Sequence, residues 1–102
     1  MEVQTISSQG EIIEEIVEEK IEAQDFEVQV SPTFEVNGKK YRVVLDGHHS
    51  LEAAQRCEAT PEFEEIRCDA CDMLDAGDID GFLEAIYIDC SYYDVYTQKT
   101  IF

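Results

Sequence analysis

The stretch with the most chemical content is Asp46-Gly47-His48-His49-Ser50, set between an apolar strand pattern and a helix pattern. A glycine after a strand permits a sharp backbone turn. The helix that follows, read over about Leu51 to Cys57, aims free N–H groups and the positive end of its dipole at whatever lies above that turn. Such a place suits a phosphate or a carboxylate. Two histidines beside it can donate hydrogen bonds, ligate a metal or move protons. The plainer alternative is that Asp46 caps the helix and the histidines bond locally. Cys68-x-x-Cys71 is the second place of interest. A close cysteine pair is half of a structural zinc site, with Cys57, Cys90 or a histidine left to complete it. Those two cysteines are isolated in sequence, so small buried thiols are the simpler reading. Asp69 and Asp72 oppose thiolate formation at the pair, which argues against thioredoxin-type chemistry. The acidic run Asp72, Asp75, Asp78 and Asp80, with Gly77 and Gly81, looks like a calcium loop. In neither glycine register are all the acidic ligand positions filled.

These residues need elements to hold them. Residues 2–6 read as a first strand. Ser7 and Ser8 offer N-cap oxygens to a helix over about Gln9 to Ala23. Ile12, Ile13, Ile16, Val17 and Ile21 share one face of that helix. Glu11, Glu14, Glu15, Glu18, Glu19 and Glu22 fill the other, with Lys20 its only base. Residues 26–30 alternate as a strand, and Pro32 ends it. Asn37-Gly38 between residues 34–36 and 39–45 is a strong hairpin signal, because a type I′ turn needs positive φ at both positions. Val43-Val44-Leu45 is apolar on both faces, as in an interior strand. Residues 58–81 show no clear pattern around Pro61. A short helix is read over 80–85, and strands over 85–90, 92–96 and 99–102.

The run from Val44 to Ala54, with the hairpin before it, resembles the second conserved box of the ParB/sulfiredoxin superfamily. That box reads, roughly, hydrophobic-Asp-Gly-x-His-Arg-x-x-Ala-Ala. The likeness spans about half the chain and is specific over Asp46 to Ala54. It implies an α+β fold, with a small mixed sheet and flanking helices, forming a single domain over 1–102. It also implies a bacterial or phage source. In that family the loop and helix N-terminus bind nucleotide or phosphate, CTP in ParB proteins and ATP in sulfiredoxins. The implied ligand site is therefore Asp46, Gly47, His48, His49 and Ser50, with His49 at the position of the box's histidine. Ser50 stands where the family has arginine, which removes a charge and a bidentate fork. His48 stands where sulfiredoxins carry their catalytic cysteine, so sulfinic acid reduction is not expected. The chain reads as a degenerate ParB-like domain whose triphosphate chemistry is weakened or lost, and which binds a nucleotide or other anion weakly unless Mg²⁺ bridges phosphate to its acids.

Composition narrows the partners. The 102 residues hold 24 acids and 7 bases, a net charge of −17. Proteins that dock on phosphate backbones cluster Lys and Arg, so direct nucleic-acid binding is not expected. Anionic membranes are disfavoured for the same reason. No apolar run approaches the ~20 residues of a membrane span. Met1 to Thr5 lacks the basic and apolar regions of a signal peptide, which predicts a cytoplasmic protein with reduced thiols. The second function class is an acidic interaction protein with a basic protein partner. Its extreme form is a DNA mimic that inhibits a nucleic-acid-binding protein. The tail aromatics Tyr87, Tyr92, Tyr93, Tyr96 and Phe102 belong to the core or, if exposed, to a partner or homodimer face.

Overall fold

Two neighbouring valines set the architecture. Adjacent strand residues point to opposite faces of a sheet, and Val43 and Val44 are both buried. The sheet must therefore be covered on both sides. The computed structural model describes residues 2–102. In chain order its elements are β1 (Val3–Ser7), α1 (Glu14–Ala23), β2 (Glu27–Val30), β3 (Phe34–Val36), β4 (Lys39–Asp46), α2 (His48–Arg56), β5 (Glu62–Glu65), α3 (Cys71–Asp75), α4 (Ile79–Ala85) and β6 (Tyr93–Asp94). This is a mixed α+β fold with a six-stranded sheet, five strands in the order β5-β2-β4-β1-β6 and β3 paired to β4 off that line.

β4 is the axis of the sheet. β1 runs parallel along one edge, pairing Val3 with Lys40 through Ile6 with Val43. The other edge is shared: β3 pairs with its first half and β2 with its second, both antiparallel. Between β2 and β3 lies Pro32, which has no N–H to give a ladder. Ser31 closes the gap. Its N–H donates to Val43 O at 2.8 Å, and its hydroxyl oxygen accepts from Val43 N–H at 3.0 Å. At the hairpin tip Asn37 and Gly38 have φ of 52° and 80°, the positive pair a type I′ turn requires.

One face of the sheet packs Ile6, Phe34, Tyr41 and Val43 against Cys71, Phe82 and Tyr92. The other packs Val28, Val30 and Val44 against Leu51 and Val95. α3 and α4 thus cover the first face and α2 the second, with α1 lying outside against α2. Arg56 at the end of α2 clasps Glu14 of α1 with two bonds of 2.6 and 2.8 Å, and also bonds Glu52 at 3.0 Å.

Several elements differ from the sequence reading. α1 starts at Glu14 rather than Gln9, and Ile13 is its N-cap residue without a side-chain cap. Glycine is a poor helix former, and the backbone around Gly10 has better partners elsewhere. Gly10 N–H donates to Asp89 Oδ1, Ser8 O accepts from Asp89 and Cys90, and Gln9 O accepts from the Tyr93 hydroxyl. Those bonds hold 8–10 as a loop. Glu11 consequently lies outside the helix. Of the expected apolar stripe only Val17 is fully buried, and Ile13 is exposed. α2 begins three residues earlier than read, at His48. Residues 86–90 are not a strand, since the chain turns there to reach Ser8. The tail keeps only Tyr93–Asp94 as strand, with a single bridge from Tyr93 to Thr100. Within the stretch that showed no pattern, Glu62–Glu65 is an edge strand parallel to β2 and Cys71–Asp75 is a short helix.

Candidate functional site

The turn from β4 into α2 forms where the sequence put it. Gly47 is the N-cap residue, with φ of 90°. A Cβ there would lie 2.5 Å from Glu27 O and 2.9 Å from Val28 Cα. The glycine is thus required by the close approach of β2's backbone. Asp46 is exposed and accepts the Gly47 N–H at 2.8 Å, so its carboxylate serves the turn and does not cap the helix.

The two histidines go different ways. His49 is half-buried, and its Nε2 accepts the N–H of Ile13 at 3.2 Å, which anchors the start of α1. That acceptor role puts the ring proton on Nδ1. His48 is only 8% exposed, and both its ring nitrogens are shielded from solvent with no hydrogen-bond partner in the protein. Burial holds its pKa below the usual 6.5. His49 adds to that shift, while Glu52 and Asp89 oppose it. His48 is thus a neutral imidazole at neutral pH. Ser50 is buried on the inner face of α2. The structure therefore separates the five candidates. Asp46 and Gly47 build the turn, His49 ties α1 to α2, Ser50 packs inward, and His48 is left with unused polar atoms.

His48 lines a cleft of about 410 Å³ between α2 and the C-terminal turn. Leu51, Glu52 and Gln55 continue its α2 wall, and Gly10 and Ile12 form one end. The facing wall comes from Cys90, Ser91, Tyr93, Val95, Gln98 and Thr100. Gln55 ties the walls together by donating its amide N–H to Val95 O at 3.1 Å, and Gln98, on the same wall as Val95, donates to that oxygen at 3.0 Å. Their carbonyl oxygens keep acceptor capacity. Asp94 holds the turn by accepting Tyr96 N–H and Thr97 N–H. Burial pushes up the Tyr93 phenol and the Cys90 thiol, so both are neutral. The lining contains no Lys or Arg, and its one acid is Glu52. The site is an acceptor-rich, uncharged-to-negative pocket.

The sequence reading missed Gln55, Ser91, Tyr93 and Gln98. Gln55 was within reach of it, because seven residues from His48 is two turns along the same helix face. Tyr93 is placed by the pairing of β6 with β1 and Gln98 by the 94–99 turn, neither of which has a periodic signature in the sequence.

At the cysteine pair, Cys71 is buried and Cys68 half-buried. Among the described residues no group of three or more His, Cys, Asp or Glu could hold a metal ion. Asp78, part of the supposed calcium run, instead caps α4 by accepting Gly81 N–H at 3.0 Å. Among the described residues no helix is long and apolar enough to cross a membrane. No family model, curated protein or solved structure matches this chain.

Proposed function

We propose that the chain is a non-catalytic ligand-binding module of ParB/sulfiredoxin-like type, holding the nucleoside half of a nucleotide in the cleft beside His48. The observation that carries the reading is the buried imidazole with both nitrogens unpartnered in the wall of that cleft. Buried polar groups are nearly always hydrogen-bonded, and an exception marks a place where something else supplies the bond. No protein hydrogen bond holds the ring, so it can turn toward an incoming ligand without breaking one.

The lining favours the neutral part of such a ligand. A base amine and ribose hydroxyls donate to Glu52, the Gln55 and Gln98 carbonyls and the imidazole. A phosphate finds no cation in the lining and faces the field of a −17 molecule. Phosphate therefore adds affinity only where Mg²⁺ bridges it to Glu52, and binding is nearer millimolar than micromolar. The test is a chemical-shift titration with cytidine, adenosine, CTP and ATP, with and without Mg²⁺. The reading predicts shifts at His48, Gln55, Tyr93 and Gln98 with a nucleoside alone, and their loss in His48→Leu. Shifts confined to phosphate-bearing ligands at residues 46–52, or no shifts at all, would overturn it.

A second reading rests on the surface. All but Asp25, Glu52 and Asp94 of the 24 acids are exposed. Lys20, Arg56 and Arg67 are paired with acids. This supports an acidic protein-interaction module, in the extreme a DNA mimic, for a basic partner. Salt-sensitive capture of a basic nucleic-acid-binding protein, unaffected by His48→Leu, would favour it over the cleft.

A further inference from the structure

We propose that Cys68 and Cys71 are a redox-active dithiol that closes to an intramolecular disulfide by exchange with a small-molecule disulfide of the glutathione type. This site is separate from the cleft and does not depend on how the cleft is read. The two sulfurs are in contact at 3.3 Å. The turn that brings them together is closed by Cys71 N–H donating to Cys68 O at 3.0 Å. Cys68 N–H donates back to Cys71 Sγ at 3.2 Å, which fixes the position of the inner sulfur. Bond formation therefore needs side-chain rotation only, with the backbone turn already made. Neither Cys57, exposed at the end of α2, nor Cys90, against Gly10 and Asp89, hydrogen-bonds to another cysteine.

Exposure assigns the order of events. Cys71 is fully buried, so a bulky disulfide cannot reach it, whereas Cys68 is part-exposed. Asp69 and Asp72, which the sequence sets against a thiolate here, are both exposed, so solvent screens their charge from the pair. The thiolate form of Cys68 attacks one sulfur of glutathione disulfide, and one glutathione thiolate leaves. Cys71 then gives its proton to solvent and attacks the Cys68 sulfur of the mixed disulfide, releasing the second glutathione. The protein loses two electrons and two protons, and glutathione disulfide becomes two glutathiones. Burial and the adjacent Cys68 raise the Cys71 thiol, while the Cys68 N–H and Arg67 pull the other way. Cys71 is thus a resolving thiol and not a surface nucleophile. Both cysteines pack in the cluster that includes Phe82, so closure locks the 68–71 turn that leads into α3.

The full chain, reduced and freed of reductant, is incubated in graded mixtures of glutathione and its disulfide, quenched by alkylation and mapped by mass spectrometry. The proposal predicts a species lighter by two hydrogens, with Cys68 linked to Cys71 and Cys57 alkylated. Cys71→Ala should stop at a glutathione adduct on Cys68, and Cys68→Ser should leave Cys71 unmodified. Should Cys71→Ala fail to fold, the wild-type map and Cys68→Ser still decide the matter. A glutathione adduct on wild-type Cys68 that never resolves, linkage through Cys57 or Cys90, or a pair still alkylated where Cys57 is already oxidised would overturn it.

Discussion

His48 and His49 are neighbours in sequence and opposites in role. His49 spends its acceptor on Ile13 and belongs to the scaffold. His48 keeps two buried nitrogens unsatisfied, a condition that costs roughly 1–3 kcal/mol in a folded protein. Replacing it with leucine removes that cost at similar volume. His48→Leu is expected to raise stability by about 1 kcal/mol or more in urea unfolding, while abolishing ligand shifts in the cleft. The pH dependence has a definite sign. The unfolded histidine takes up a proton near 6.5, and the folded one resists because its pKa is lowered. Stability is therefore full above about pH 6.5 and falls as the pH drops toward the native pKa. The many carboxylates also titrate at acid pH, so the readout is the difference between wild type and His48→Leu. That gap should widen from about pH 7.5 to about pH 5.5. A constant gap would mean that His48 titrates normally. The sequence marked both histidines and matched His49 to the box's histidine, but it did not show which ring would stay unpartnered, because that depends on where Ile13 ends up in three dimensions.

At the scale of elements, the strand-turn-helix unit was legible and its neighbours were less so. Asn37-Gly38 gave the hairpin because its backbone demand is local. The interior position of β4 followed from three consecutive apolar residues. The start of α1 was misread because Gly10 and its neighbours bond to Asp89, Cys90 and Tyr93, partners some eighty positions along the chain. β5 was missed because Glu62, Glu64 and Glu65 lie on an exposed edge with only Phe63 facing inward. Two tests belong here. Gly47→Ala should cost at least about 2 kcal/mol, since the left-handed backbone is strained for alanine and its Cβ meets the β2 backbone. A loss under half of that would show that β2 can retreat. Arg56→Met removes the clasp on Glu14. Hydrogen exchange should then quicken across α1 while β4 stays protected. Equal loss in both elements would mean that α1 does not open separately.

The whole molecule is a strongly negative surface around two small apolar layers. Exposed like charges repel within the compact state and are screened within about 8 Å at physiological salt. The melting temperature should rise as sodium chloride is added, and gel shifts with arbitrary duplex DNA should show no binding at micromolar protein. A retarded DNA band in ordinary salt would contradict this account of the surface. The same field explains why a phosphate-first site is disfavoured here, although the turn itself resembles one. On the proposed reading the ligand goes instead to the cleft beside His48, whose lining apart from Glu52 is uncharged. The most direct measurement is the nitrogen spectrum of the histidine side chains during titration with cytidine and adenosine. A neutral His48 ring whose nitrogen shifts move with ligand, while those of His49 stay fixed, is the predicted result. Ring nitrogens of His48 that do not move at saturating nucleoside would contradict the assignment of the cleft.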